Sequence, residues 1–248
     1  MRFGKSSNPV LTKKRFENTS VFDMANTEAM TLNGTINKTL ILFGLLLITA
    51  YFSWTYAVSG AINPRLLIVG GAIGGLAIAI FTILKPEKSP ILAPIYALVE
   101  GIFIGAISAM YSNFYSGIVM QAIGLTLSIF LIMMLLYKTG LITATAKLKK
   151  GIIIATGGVM FFYVLNFITS FFGGGVSLFN LGIVGIGISL VIVVIAAMNL
   201  ILDFDMIEKN IQRGQPKYIE WFAAFGMMIT LVWLYVEILR LLALLSRR

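Results

Sequence analysis

Seven apolar runs, each close to the length of a bilayer crossing, occupy most of this chain and leave it one way to fold. They cover residues 39–59, 66–84, 91–111, 115–137, 151–172, 180–202 and 219–245. An α-helix needs about 20 apolar residues to span hydrocarbon, where no water is present to satisfy its backbone. Barrel strands would be about ten residues long and alternate in polarity, and these runs do not alternate. The runs therefore predict an all-α polytopic membrane protein, a seven-transmembrane-helix bundle. Composition agrees, with 58% of the 248 residues hydrophobic and 12% charged. Soluble domains are about 45–50% apolar and about 25% charged.

The net charge of +9 does not point to nucleic acid, because the cations sit at the ends of apolar runs and form no patch with interleaved aromatics. They point to orientation instead. With the N-terminus in the cytoplasm, the inner side holds Arg2, Lys5, Lys13, Lys14, Arg15, Lys38, Lys85, Lys88, Lys138, Lys147, Lys149, Lys150, Lys209, Arg213 and Lys217. That is 15 of 19 basic residues. Residues 1–36 read as a polar cytoplasmic tail and residues 37–248 as the transmembrane domain. Ser112, Asn113 and Phe114 are the only break between the third and fourth runs, which predicts a tight helical hairpin. Pro64, Pro86, Pro90 and Pro216 fall at helix boundaries, and Pro94 in the first turn of the third helix, where a missing N–H does least harm. Gly70/Gly74, Gly71/Gly75 and Gly101/Gly105 have the spacing that lets membrane helices approach closely.

The chain has no Cys and no His. It therefore lacks thiolate metal sites, the commonest general base and the commonest transition-metal ligand. Hard cations such as H⁺, Na⁺ or Ca²⁺ stay open. Attention then falls on carboxylates inside the runs, since an unpaired one costs at least about 2.5 kcal/mol on insertion. Such a group must pair, hold a proton, bind a cation or face water. Glu100 lies roughly 14 Å into the third run at 1.5 Å per residue. It reads equally as a proton or cation site and as an interhelical staple. Asp203 shares a helix face with Asn199, four residues earlier. Asp205 points away from Asp203 and precedes Lys209 by four, the order favoured for an exposed ion pair. Glu237 precedes Arg240 by three. It reads either as half of an intrahelical pair or as a group facing the sixth helix. Two carboxylates on facing helices would share one proton and titrate as a unit. Lys85, at the same end as Asp203, is a candidate latch. Tyr163, Asn166 and Ser170 share one face of the fifth helix and read either as path lining or as interhelical hydrogen bonds.

The last third has a recognisable cadence. Asn199-Leu-Ile-Leu-Asp203-Phe-Asp205-Met-Ile-Glu closes one helix, and Trp233-Leu-Tyr235-Val-Glu237-Ile-Leu-Arg240-Leu-Leu closes the next. With Ser7-Asn-Pro-Val10 and Tyr96-Ala-Leu-Val-Glu-Gly-Ile-Phe-Ile-Gly105, this resembles the Bax inhibitor-1 family, the transmembrane Bax-inhibitor-motif proteins, in its bacterial branch. The resemblance implies a seven-helix fold and a multi-pass location in the bacterial plasma membrane. It also implies a pH-sensitive calcium leak, regulation of cell death in eukaryotic members and modulation of a membrane protease in bacterial ones. The family's paired aspartates fall on Asp203, or on Asp205 two positions later, and on Glu237. These become the implied pH sensor and cation site, with calcium between Asp203 and Glu237, and the family's latch arginine falls on Lys85 or its neighbour. The chain departs from the pattern by carrying Glu at the second position, Lys at the latch and a longer segment between the carboxylates.

Two functions follow as expectations. The first is a pH-sensitive cation leak with no cofactor beyond Ca²⁺ as the moving or bound ion. The second is a non-conducting regulator whose partner is a membrane protease or another membrane protein. Neither is an enzyme. An intramembrane aspartyl hydrolase is disfavoured because its Gly-x-Gly-Asp pattern is absent and Asp203 lies near the membrane edge.

Overall fold

The computed structural model describes residues 28–247. It contains seven long helices: α1 (Leu32–Val58), α2 (Pro64–Leu84), α3 (Ser89–Phe114), α4 (Ile118–Lys138), α5 (Ala146–Phe171), α6 (Ile183–Gln212) and α7 (Tyr218–Ser246). Each is long and apolar enough to cross a membrane. The expected seven-helix architecture is therefore observed.

The helices begin and end where backbone chemistry allows. Thr31 caps α1 by accepting from Gly34 N, Asn63 caps α2 ahead of Pro64, and Thr145 caps α5, which satisfies N–H groups that a helix start leaves unpaired. The α1 start at Leu32 takes five residues from the expected tail. Residues 1–27, with Lys13, Lys14 and Arg15, lie outside the described residues, as does Arg248. The α3–α4 turn falls at Tyr115–Gly117 rather than at residues 112–114. Tyr115 ends α3 in an extended conformation, and Gly117, at φ +75°, a left-handed backbone open to glycine, sets the start of α4. Helix α3 also starts at Ser89, so Pro94 lies beyond its first turn. Helix α6 continues ten residues past the expected boundary and carries Asp203, Asp205 and Lys209 within it.

Packing is organised around two helices. Helix α3 is sandwiched between α1 and α2. Glycines permit that approach: a methyl on Gly105 would stand 2.2 Å from the Ala50 carbonyl oxygen on α1, and one on Gly71 would stand 2.9 Å from Phe103 Cβ on α3. Helix α7 touches α1, α3, α4 and α6 and carries much of the core, including Phe225, Met228, Leu234 and Leu239. The expected tight α3–α4 hairpin does not form along its length, because α4 turns away to pack on α7 and α6. Helix α5 is the outlier. Only Ile152 and Val159 are buried, and its main neighbour is α6.

Ahead of α1, a short strap crosses the α6–α7 turn. Ala29 and Pro216 form an antiparallel bridge, closed by Met30 N to Gln215 O at 2.7 Å and Lys217 N to Glu28 O at 2.9 Å. The strap lies at the lysine-rich end of the bundle.

Candidate functional site

Asp203 is the carboxylate without an answer. It lies on α6, and its Oδ2 is buried and accepts no hydrogen bond among the described residues. Thr230, on the facing α7, is its polar neighbour. Asn199, one turn away, is occupied: its Nδ2 donates to Thr156 Oγ1 on α5 at 2.8 Å and to the Ile195 carbonyl at 2.8 Å.

Glu237 is fully buried on α7 and heavily subscribed. It accepts from Tyr163 Oη of α5 at 2.7 Å, from Trp233 Nε1 at 3.2 Å and from Arg240 at 3.0 Å. Arg240 also donates to Tyr163 and lies 5.2 Å above its ring. The intrahelical pair is thus present, with a third member from α5 and none from α6.

The structure does not bring Asp203 and Glu237 together. Asp203 faces Thr230, and seven residues of helix, about 10 Å of rise, separate Thr230 from Glu237. The two carboxylates therefore lie at different depths and share no proton. The expected calcium site at this pair is not assembled either. No cluster of three acidic groups suited to a metal occurs among the described residues.

Asp205 forms ion pairs with Lys149 of α5 at 2.5 Å and Lys209 at 2.9 Å. It faces away from Asp203, as the 200° between positions two apart requires. Lys85 caps the C-terminus of α2, is exposed and forms no ion pair among the described residues. It does not latch Asp203, because α2 packs on α3 and has no comparable contact with α6. Glu100 is buried at the α2–α3 seam, where a methyl on Gly75 would stand 2.7 Å from its Oε2. Tyr96, one turn earlier on α3, is its polar neighbour. Asn166 is spent on structure, with its Oδ1 accepting from Val176 N at 2.6 Å. Ser170 donates to the Phe167 carbonyl at 2.6 Å. The polar face of α5 is therefore bonded rather than free.

Sequence reasoning missed Glu220. It is fully buried at the start of α7, accepts from Thr31 N at 2.7 Å and Thr31 Oγ1 at 3.0 Å, and pairs with Lys38 of α1. Its position between Ile219 and Trp221, at the head of an apolar run, was the available signal.

Close by, the Lys217 ammonium hydrogen-bonds Glu28 and holds its carboxyl below the usual carboxylate range. Folded and unfolded chains then differ in proton affinity. This contact contributes above the free Glu28 value and is lost as pH falls through the lowered folded value. Both side chains are exposed, so salt screens the contact. Titrating ¹³C-labelled glutamate carboxyls by NMR should show one with a depressed midpoint at Glu28. Lys217→Gln should return it to the ordinary range, and an unmoved midpoint would contradict the pairing.

Seven crossings, a central α7 and carboxylates buried within the span define a polytopic integral membrane protein. The sequence profile of the Bax inhibitor 1 like family matches residues 8–247. The chain belongs to that family, and the match takes in every helix of the bundle. No curated protein matches the chain.

Proposed function

We propose that this protein is a pH-sensitive leak for cations, calcium among them, in a bacterial plasma membrane, and that the protonation of Asp203 alone sets its state. The observation that carries this reading is a buried carboxylate oxygen with no partner. Glu237 and Glu220 are each met by a cation and further donors. Among the described residues Glu100 forms no ion pair, but the buried carboxylate oxygen left without a hydrogen bond is Asp203 Oδ2. A carboxylate so placed is tolerated when it holds a proton. When it loses that proton it must draw in water or a cation. Ionised Asp203 therefore favours a hydrated, conducting α6–α7 seam, and protonated Asp203 a dry one. The protein performs no covalent chemistry in this reading. Membership of the Bax inhibitor 1 like family is in keeping with it.

Calcium uptake into proteoliposomes between about pH 6 and 8 tests it, a window chosen because buried carboxylates titrate well above their free values. Flux should rise with pH in the parent. Asp203→Asn should stay at the low-pH level throughout. Glu237→Gln should keep the parent's pH profile, because Glu237 is committed to Arg240. A pH-dependent Asp203→Asn variant would sink the assignment. A folded parent with no flux above empty vesicles would favour the second reading, a membrane regulator. The strap is the feature that favours that alternative, since it holds residues 28–30 against the α6–α7 turn at the cytoplasmic end expected for partner binding.

A further inference from the structure

The strap ends in a buried charge that the leak reading does not use. Glu220 could be an apolar residue if its only task were packing. A buried ion pair adds little stability over hydrophobic replacements, and its best-attested use is as a register or switch device. Here it accepts from Thr31 N and Thr31 Oγ1 at the start of α1 and pairs with the Lys38 ammonium within that helix. Lys38 also lies 5.6 Å above the Trp221 ring. Gly34 completes the fit, because a methyl there would stand 2.3 Å from Glu220 Oε1. The remainder of the strap is lightly held. Met30 is its buried apolar side chain, and the Glu28–Lys217 pair is exposed. Segments with few apolar contacts and exposed hydrogen bonds open at low cost.

Helix α7 gives that arrangement leverage. Glu220 sits ten residues before Thr230, about 15 Å along one continuous helix, and Thr230 is the group facing Asp203. We propose that residues 28–38 are a releasable clasp that locks α1 to the end of α7 through Glu220, and that opening it raises the leak. The second half of this statement rests on the leak reading, and the first half does not.

The absence of cysteine makes a direct test available. Ala29 and Pro216 form the non-hydrogen-bonded pair of an antiparallel bridge, with Cα atoms about 4.5 Å apart in such pairs. That spacing lies within the disulfide range of about 4.4–6.8 Å. The double variant Ala29→Cys/Pro216→Cys should form one disulfide in proteoliposomes under mild oxidation. Calcium flux should fall several-fold on oxidation and recover on reduction. Adding Glu220→Gln should slow disulfide formation and raise flux in the reduced state. Gly34→Ala, which crowds the joint while keeping Glu220, should act in the same direction if the first variant fails to fold. Equal flux in the oxidised and reduced states of a conducting protein would overturn the coupling. Undiminished disulfide rates in both added variants would overturn the clasp. If the parent conducts nothing, the leak reading fails by itself, and the disulfide rates still decide whether Glu220 seats the strap.

Discussion

Arg240→Met should cost the bundle about 3 kcal/mol, the low end of what breaking a buried ion pair costs. The substitution removes the cation paired with Glu237 and leaves a carboxylate of 2% side-chain exposure inside α7. Two features keep the figure at the low end. Arg240 retains 23% of its side-chain exposure, so part of its charge was already screened. Tyr163 and Trp233 also remain as donors to Glu237. The double variant Arg240→Met/Glu237→Gln should recover most of the loss, because it removes both charges and leaves no buried ion. Thermal unfolding of the parent, Arg240→Met, Glu237→Gln and the double variant in one detergent completes the cycle. Additive losses in the double variant would show that Glu237 and Arg240 do not depend on each other.

The α1–α3 contact should be the next most sensitive place. Gly101→Ala would put a methyl 1.9 Å from Thr49 Oγ1 and 2.4 Å from the Leu46 carbonyl oxygen, and Gly105→Ala would put one 2.2 Å from the Ala50 carbonyl oxygen. Backbone cannot swing aside as a side-chain tip can, so the helices must part. Overpacking of this kind costs about 1–3 kcal/mol. Parting them also lengthens the Ser53 Oγ to Ile102 carbonyl bond, now 2.7 Å. Gly124→Ala, with nothing within 4 Å of the added atom, should be neutral or stabilising, since alanine is the better helix former by about 1 kcal/mol. Equal melting temperatures for Gly105→Ala and Gly124→Ala would mean that close approach is not what holds α1 on α3.

The helices were legible in the sequence because the bilayer sets one length and one polarity for each, and all seven runs became helices. Their ends were less so. The polar tail of α6 stays helical through its own backbone bonds and the Asp205–Lys209 pair, whereas hydropathy ends where apolarity ends. Pairing between helices was the least legible. Periodicity showed that Asp205 turns away from Asp203, and Arg240 three residues after Glu237 announced their pair. Nothing local announced Tyr163 as the third member, or Lys38 as the partner of Glu220, because those contacts depend on which helix lies beside which. The same gap undid the Asp203–Glu237 pair and the Lys85 latch. Both were raised from position along the chain and then implied by the family resemblance, and both need depths and neighbours that this chain does not supply. Glu237 lies about two turns beyond the Thr230 that faces Asp203, and α2 packs on α3.

Helix α5 is joined to the bundle by three polar rungs at successive depths: Lys149 to Asp205, Thr156 to Asn199, and Tyr163 to Glu237. Every partner lies later in the chain, on α6 or α7. During synthesis, therefore, α5 leaves the ribosome before any group able to answer its lysine, threonine or tyrosine exists. It must be carried through membrane insertion by its own hydrophobicity, with these side chains turned to lipid headgroups, water or the insertion machinery. No rung can close before the ribosome has delivered its partner. Asn199 and Asp205 arrive first and fix α5 against α6, and Glu237 completes the ladder. Translation thus sets the earliest moment at which each rung can form, and a pause between α6 and α7 would leave Tyr163 without its partner.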